Sequence, residues 1–446
     1  MTAPVYPYAS GNLLENRNTY FYAAFGGRAF LQAWQRQRTA ALAACHANPY
    51  AATAREDPAP IVQALRRLQC ALHLPECPAE TWDTLDHVLQ RFEVSKRLHD
   101  DYTRTWRPKD PMHYHGLERY LLLAEVLGQA TALTTDLRYL SGLLKCVDTL
   151  TADGMVPMTK HISSMRLGAI LDQERTLVDQ VAKRPRPHLA PADLPIVSKP
   201  RTTPTMLRGI GLIAAPTARS QAYIQTLEAN GLYPEFVLLL GKHTAPDFPS
   251  NALSSPLRHG IALVNPDESV ITTCRRAGIH TRAVEAASIN DAPAMDAIRQ
   301  LRPHTLIYSG AGGQIVSPEA LGLGARFLHM HAGRIPDYRG STTIYYALLN
   351  GAPPTVTAIF LDAQIDTGGI LARYDYPVPD QGIDVDQIYD ASIRADTLAR
   401  LLHDYASTGS FPSPQPQQPD EGSSYFVIHP VLKHLAILGL PIQNHD

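Results

Sequence analysis

The 446-residue chain has little cysteine, no long apolar run and no surplus of either charge. Its five cysteines, Cys45, Cys70, Cys77, Cys146 and Cys274, are odd in number and contain no C-x-x-C pair. That excludes a disulfide framework and a thiolate zinc site, and it fits a reducing compartment. The longest apolar runs, such as Phe236 to Leu240, fall far short of the roughly 20 residues that a helical membrane span needs. The N-terminal MTAPVYPYASGNLLENRN lacks the charged-then-apolar layout of a secretory leader. Forty Lys and Arg stand against 42 Asp and Glu, a formal charge of −2, so there is no excess of positive charge to track a phosphate backbone. No period of fixed length recurs, which sets aside solenoids and propellers. These absences lead us to expect a cytoplasmic protein with no membrane and no nucleic acid among its partners.

What is present is length and proline. A chain of this size suggests two or three domains, and the 36 prolines are not evenly placed. Residues 183–206 carry six of them with almost no apolar periodicity; proline at that density blocks helix and stiffens the chain, so this stretch reads as a linker. Before it the apolar period is helical: Leu85, Val88, Leu89 and Phe92 form one stripe, and Leu137, Leu140, Leu143, Leu144, Val147 and Leu150 form a longer one. Between them LERYLLLAEVLGQATAL is apolar all round and reads as a central buried helix. Residues 1–182 are therefore expected to be an all-α domain. After the linker, short continuous apolar runs (GIGLIAAP, FVLLLG, TLIYS, RFLHM, TAIFL) alternate with amphipathic segments. This is the pattern of a doubly wound α/β domain with a mostly parallel sheet covered on both faces, placed at 207–410. A second Pro-rich stretch opens the remaining 411–446, whose apolar Val431, Leu432, Leu435 and Ile437 are expected to be ordered against one of the two domains. His429, beside Pro430, is an outlying candidate for the crevice described next.

In such a sheet the ligand crevice lies beyond the carboxyl ends of the strands, and three segments point there. In IYSGAGGQI a strand runs into Gly310, Gly312 and Gly313, which allow close backbone approach to a ligand. In FLHMHAGRIPDYRGSTTIYYALLNG, strand alternation puts His329 and His331 on one face before the chain breaks at Gly333 and Pro336. In TAIFLDAQIDTGGIL, Asp366 precedes Thr367, Gly368 and Gly369, where a loop can turn its carboxylate back to hold an imidazole in one tautomer. Asp362 is the rival carboxylate, equally suited to a turn cap.

Residues 300–380 resemble the folate-dependent formyltransferase superfamily. Its signature is an Asn-x-His at a strand end, a Leu-Pro-x-x-Arg-Gly loop opening a helix, and a downstream Asp-x-Gly. Here these read His329-Met330-His331, Ile335-Pro336-Asp337-Tyr338-Arg339-Gly340 and Asp366-Thr367-Gly368. The resemblance implies transfer of a formyl group from 10-formyltetrahydrofolate to an amine, with His329, His331 and Asp366 catalytic and no metal. It implies that the pterin lies along Gly312, Gly313, Gln314 and Ile315 and along the loop holding Asp362 and Ile365. Arg339, Gly340, Ser341 and Thr342 would form the rim nearest the acceptor. The family's Asn is His329 in this chain. An imidazole can also donate one hydrogen bond to the formyl oxygen, but in a way that depends on pH.

The expected acceptor is a small-molecule amine, an amino sugar nucleotide or an amine of specialised metabolism, rather than Met-tRNA. The alternatives are hydrolysis of 10-formyltetrahydrofolate and a non-catalytic regulatory protein on the same fold. The helical domain carries no chemistry of its own and is the candidate surface for a homo-oligomer. GIGLIA imitates a dinucleotide fingerprint but has its glycines at the start of a strand rather than after it. His113, His115 and Glu118, beside His99, Asp100 and Asp101, are read as solvated or capping groups. Lys145 and Asp148 have i,i+3 spacing and could pair.

Overall fold

The computed structural model describes residues 29–46, 60–94, 111–151, 156–184, 204–243, 257–258, 260–311, 314–381, 383–418 and 421–441. The chain divides into two compact units, residues 1–185 with 428–438 and residues 186–427 with 439–446.

The first unit is helical. Helices span Ala29–His46, Pro60–Leu72, Ala79–Val94, Pro111–Thr134, Leu137–Thr151 and Val156–Ala182, and a last one, Pro430–Leu438, comes from the C-terminal stretch. The helix Leu137–Thr151 is buried nearly all round, its Leu140, Leu143, Leu144, Val147 and Leu150 fully so. Burial of this kind, at roughly 1.5–3 kcal/mol per large aliphatic side chain, is what organises the unit.

One polar network sits inside this apolar packing. Arg38 donates from Nε and Nη2 to the two oxygens of Glu174 (2.9 and 3.1 Å), from Nη1 to Thr151 Oγ1 (3.0 Å) and from Nη2 to Asp148 Oδ1 (2.6 Å). Its guanidinium also lies over the Trp34 ring. His429 closes the network, its Nε2 2.5 Å from Asp148 Oδ2 while its Nδ1 accepts from the Val431 amide. His429 therefore belongs to the helical unit, and Asp148 is engaged by Arg38 and His429. Burial raises Glu174 to about 7, with Arg38 pulling the other way. Burial pushes Asp148 up as well, but the charges of His429 and Arg38 outweigh it and hold the carboxyl below its usual value. Burial keeps His429 below the ordinary histidine range. Glu118, from the histidine-rich cluster, pairs with Arg166 at 2.9 Å; the side chains of His113 and His115, and residues 99–101, lie outside the described residues.

The second unit is the α/β unit. Its strands are β1 (Thr205–Ala214), β2 (Leu232–Leu240), the short β3 (Leu257–Arg258) and β4 (Ile261–Ala262), β5 (Thr281–Val284), β6 (Thr305–Ser309), β7 (Arg326–His331), β8 (Tyr338–Gly340), β9 (Thr355–Phe360), β10 (Ile370–Asp375) and β11 (Ser423–Tyr425). Seven form one sheet in the order β10-β9-β7-β6-β1-β2-β5, parallel from β7 through β5 and antiparallel at β7–β9 and β9–β10. One face packs Ile213, Leu238, Leu306, Tyr308 and Phe327 against Ala294, Ala297 and Ile298 of the helix Ala292–Leu301. The helices Ala218–Ala229 and Asp390–Thr408 pack on one another, and both hold buried apolar residues. Continuous burial along β6 explains why the sequence shows unbroken apolar runs rather than alternation. β1 takes the last residues of the expected linker, 185–203 of which lie outside the described residues.

Candidate active site

The parallel strands β1 and β6 end side by side, with Ala214 paired to Ser309, and β7 follows β6 in parallel. The strand order reverses between these neighbours, which is where a doubly wound sheet opens a crevice. Alternation along β7 puts His329 and His331 on the Phe327 face. The Tyr308 ring lies 6.4 Å from Phe327 and 6.1 Å from His329, and the two histidine rings are 6.4 Å apart.

The third segment reaches the crevice by a route that strand reading did not foresee. β9 runs antiparallel to β7, so Phe360 pairs with Leu328 and Thr357 with His331. The loop after β9 must therefore fold back, and it does so with Asp366 in the left-handed region at φ 57°. Asp366 Oδ2 comes to 3.3 Å from His331 Nδ1 and accepts from the Gly340 amide at 2.9 Å. The other imidazole nitrogen, Nε2, is 2.7 Å from the Tyr338 carbonyl. A carbonyl can only accept, so Nε2 carries a proton and Nδ1 is the atom that faces the carboxylate. His331 is 3 % exposed and Asp366 9 %.

His329 behaves differently. Burial, then the charges of Arg219, Arg394 and His331, push its pKa well below the ordinary value, with the backbone of Tyr308 pulling the other way. Its Nδ1 is buried and has no partner. The pH sensitivity expected of His329 is moved to lower pH by burial first and by these two arginines second. Arg219 donates to Ser309 Oγ and the Gly310 carbonyl; Arg394 donates to the Met330 carbonyl (2.7 Å) and pairs with Asp390 (2.8 Å).

The loop 333–342 is shaped by contacts that admit only glycine at two places. A Cβ on Gly333 would meet the Tyr338 carbonyl at 2.5 Å and His331 Nε2 at 2.6 Å; one on Gly340, at φ 96°, would meet the Tyr425 carbonyl at 2.1 Å. Both contacts are closer than any real Cβ tolerates, and the positive φ adds its own preference for glycine. Arg339, expected at the acceptor rim, is 6 % exposed and gives its guanidinium to Gln417 Oε1 at 2.7 and 2.9 Å. Ser341 donates its amide to Tyr425, and Thr342 bonds the Ser341 carbonyl. Among the residues assigned to the pterin, Gly312 and Gly313 lie outside the described residues. Gln314 donates to the Ala287 carbonyl, and its Oε1 is buried without a partner. Ile315 and Ile365 are exposed, at 58 % and 52 %. Asp362 accepts from the Gln364 amide and the Thr367 hydroxyl, so it is a turn cap.

Sequence reading missed the strap that braces this loop. Residues 414–418 and 421–425 lie on the α/β unit: Gln415 bridges Ile370, β11 pairs in parallel with β8, and Tyr425 stacks on Tyr338 with ring centroids 5.0 Å apart. Gln417 sits at its centre, accepting from Arg339 and donating to the carbonyls of Asp366 (2.9 Å) and Gly368 (2.7 Å). It thus ties the rim loop to the loop that carries Asp366. Its stretch, FPSPQPQQPDEG, offers no signal that one of three neighbouring glutamines does this.

The α/β unit thus carries a histidine–aspartate pair at the end of a parallel strand; the known proteins that the chain is similar to are formyltransferases. The chain is similar to a methionyl-tRNA formyltransferase of Moorella thermoacetica, 32 % identical over 164 residues that make up 36 % of this chain and 51 % of the relative. It is also similar to one from Nitratiruptor sp., 48 % identical over 77 residues, 16 % of this chain and 25 % of the relative. The chain spans about half the length, or less, of the curated relatives it matches. No family model matches. Solved structures aligned to it include a sugar N-formyltransferase from Shewanella sp., at 14 % identity and TM-score 0.33, covering 51 % of this chain and 86 % of that one. Another is a phosphoribosylglycinamide formyltransferase from Streptococcus pneumoniae, at 17 % identity and TM-score 0.31, covering 45 % and 97 %. No helix among the described residues is long and apolar enough to cross a membrane.

Proposed function

We propose that this protein is an N-formyltransferase that moves the formyl group of 10-formyltetrahydrofolate to the amine of a small-molecule acceptor. The observation that carries the reading is the His331–Asp366 pair: an imidazole whose outer nitrogen is fixed by the Tyr338 carbonyl and whose inner nitrogen faces a nearly buried carboxylate at the end of a parallel strand.

The folate donor would lie along Gln314, Ile315, Asp362 and Ile365, together with Gly312 and Gly313. The exposed side chains of Ile315 and Ile365 and the orphaned Gln314 Oε1 suit a ring system that is apolar on its faces and polar at its edge. When bound, this donor supplies the formyl carbon that the acceptor nitrogen attacks. His331 takes the proton that the amine loses and holds it with Asp366 as counter-charge, a role worth about 10²–10⁴-fold in rate. Gly340, Ser341 and Thr342 form the acceptor rim; Arg339, turned inward to Gln417, sets its shape rather than touching the acceptor.

The test is mass spectrometry of an amine pool incubated with the protein and 10-formyltetrahydrofolate. The pool includes amino sugar nucleotides, and separate arms hold Met-tRNA and no acceptor. A gain of one formyl group on a small amine, lost in His331→Ala and Asp366→Ala, supports the reading. Formylation of Met-tRNA alone reassigns the acceptor, and folate release without any acceptor points to a hydrolase. Undiminished activity in either variant removes the site assignment.

A further inference from the structure

His329 leaves a need unmet. As charge builds on a formyl oxygen the site has to offer an electrophile, but a neutral imidazole such as His329, whose buried Nδ1 makes no hydrogen bond, carries a lone pair as well as an N–H. A lone pair repels an oxyanion. It is, however, what a metal ion requires.

Among the described residues, His329, His331 and Asp366 form a group whose ligand atoms all lie within 4.8 Å of one another. We propose that these three side chains bind one divalent transition-metal ion of the zinc class, with coordination positions left open to the crevice. Three observations converge on this. First, a tetrahedral ion with bonds of about 2.0–2.2 Å holds neighbouring ligand atoms about 3.3–3.5 Å apart. The 3.3 Å between His331 Nδ1 and Asp366 Oδ2 already has that length, and a ring nitrogen of His329 lies within 4.8 Å of ligand atoms on the other two. Second, the Tyr338 carbonyl holds the proton on His331 Nε2, the outer partner that metal-bound histidines usually have, and it leaves Nδ1 as the ligating atom. Third, the donor set is two imidazoles and one carboxylate, which suits zinc, cobalt and ferrous iron and does not suit calcium or magnesium. An Asn at position 329, as in the related signature, offers only an amide oxygen or nitrogen, a poor ligand for such ions; the histidine completes the trio.

The charges of Arg219 and Arg394 oppose a cation here and weaken its binding. Asp390, paired with Arg394 at 2.8 Å, offsets one of them. A bound ion would occupy His331 Nδ1 and polarise the formyl oxygen by Lewis acidity; in that state the proton the amine loses would pass to water at an open coordination position rather than to His331. The inference does not depend on the transfer reading, because its test reads metal and not turnover.

Full-length protein is stripped with chelator, loaded with Zn²⁺, desalted and measured by elemental mass spectrometry. A parallel sample is loaded with Co²⁺ and read by visible absorption. About one Zn²⁺ is expected to stay with each chain, as for a three-ligand site with an open position, and the Co²⁺ sample is expected to show the intense bands of a four-coordinate ion. His329→Asn and Asp366→Asn, each verified as folded by circular dichroism, are expected to lower retention at least tenfold and to abolish the Co²⁺ bands. Wild-type protein that retains no metal, or that retains as much as both folded variants do, overturns the proposal. Metal retained by a protein that transfers no formyl group leaves this site standing and removes the transferase reading instead.

Discussion

Among the described residues there are two histidine–carboxylate ion pairs, one in each unit, and they differ in what surrounds them. In the helical unit, His429 Nε2 meets Asp148 Oδ2 at 2.5 Å, its Nδ1 accepts from Val431, and the other Asp148 oxygen is taken by Arg38. Every polar atom of the His429–Asp148 pair is used. In the α/β unit, His331 Nδ1 meets Asp366 Oδ2 at a looser 3.3 Å, and beside it His329 Nδ1 is buried and unpartnered. A saturated pair can only stabilise, whereas a pair with an unused lone pair next to it still has bonding capacity to give a ligand. Burial does not separate the two, since both imidazoles are almost wholly enclosed; the accounting of hydrogen bonds does.

The largest expected effect tests the open pair. His331→Ala and Asp366→Ala are each expected to lower formyl transfer about 10²–10⁴-fold, read in a stopped assay, with little change in thermal unfolding. Next, Asp148→Ala attacks the sealed pair. It takes one of two carboxylates from Arg38 and the carboxylate partner from His429, so the helical unit is expected to lose about 3–5 kcal/mol, the usual cost of breaking a buried ion pair. Denaturant unfolding measures it. A third test loosens the strap. Gln417→Leu frees the Asp366 loop from the rim loop and is expected to lower kcat by about tenfold or more, since a misplacement of about 1 Å can cost 10². KM for the folate is expected to change less, and Gln417→Glu, which keeps the acceptor for Arg339, is expected to recover part of the loss.

The smallest effect is in pH. His429 lies below the ordinary histidine range, so between that lowered value and about 6.5 the unfolded chain binds a proton that the folded chain does not; its contribution to stability falls as pH drops below 6.5. Glu174, raised from 4.5 to about 7, has the opposite sign: the folded chain keeps its proton longer, and its contribution falls as pH rises between those values. In the wild-type protein the two slopes oppose each other. Glu174→Gln is expected to uncover a loss of up to about 1.4 kcal/mol per pH unit below 6.5, and His429→Gln a fall in the other direction. Hydrogen exchange in the helix Leu137–Thr151 across pH 4.5–7.5 reads both, and equal slopes in the two variants contradict the assignment.

What was legible in the sequence followed from periodicity. Continuous apolar runs identified the strands, and the two-residue period of β7 put His329 and His331 on one face. Asp366 was legible from the glycines after it, although the antiparallel β9 that makes its loop fold back was not, since β9 reads like any other buried strand. The atoms that decide the chemistry were illegible. The Tyr338 carbonyl has no residue signature, and Gln417 acts by position in a stretch with no period. His429 could not be placed because a short apolar helix after a proline-rich segment carries no mark of which unit it will join.

The contrast between the pairs is tested most directly by measuring formyl transfer in His331→Ala and His429→Ala, side by side with the wild-type protein. Transfer is expected to be abolished in the first and retained in the second, which should differ only in a lowered unfolding midpoint. Transfer retained in His331→Ala, or lost from a folded His429→Ala protein, would contradict the assignment of chemistry to the α/β unit.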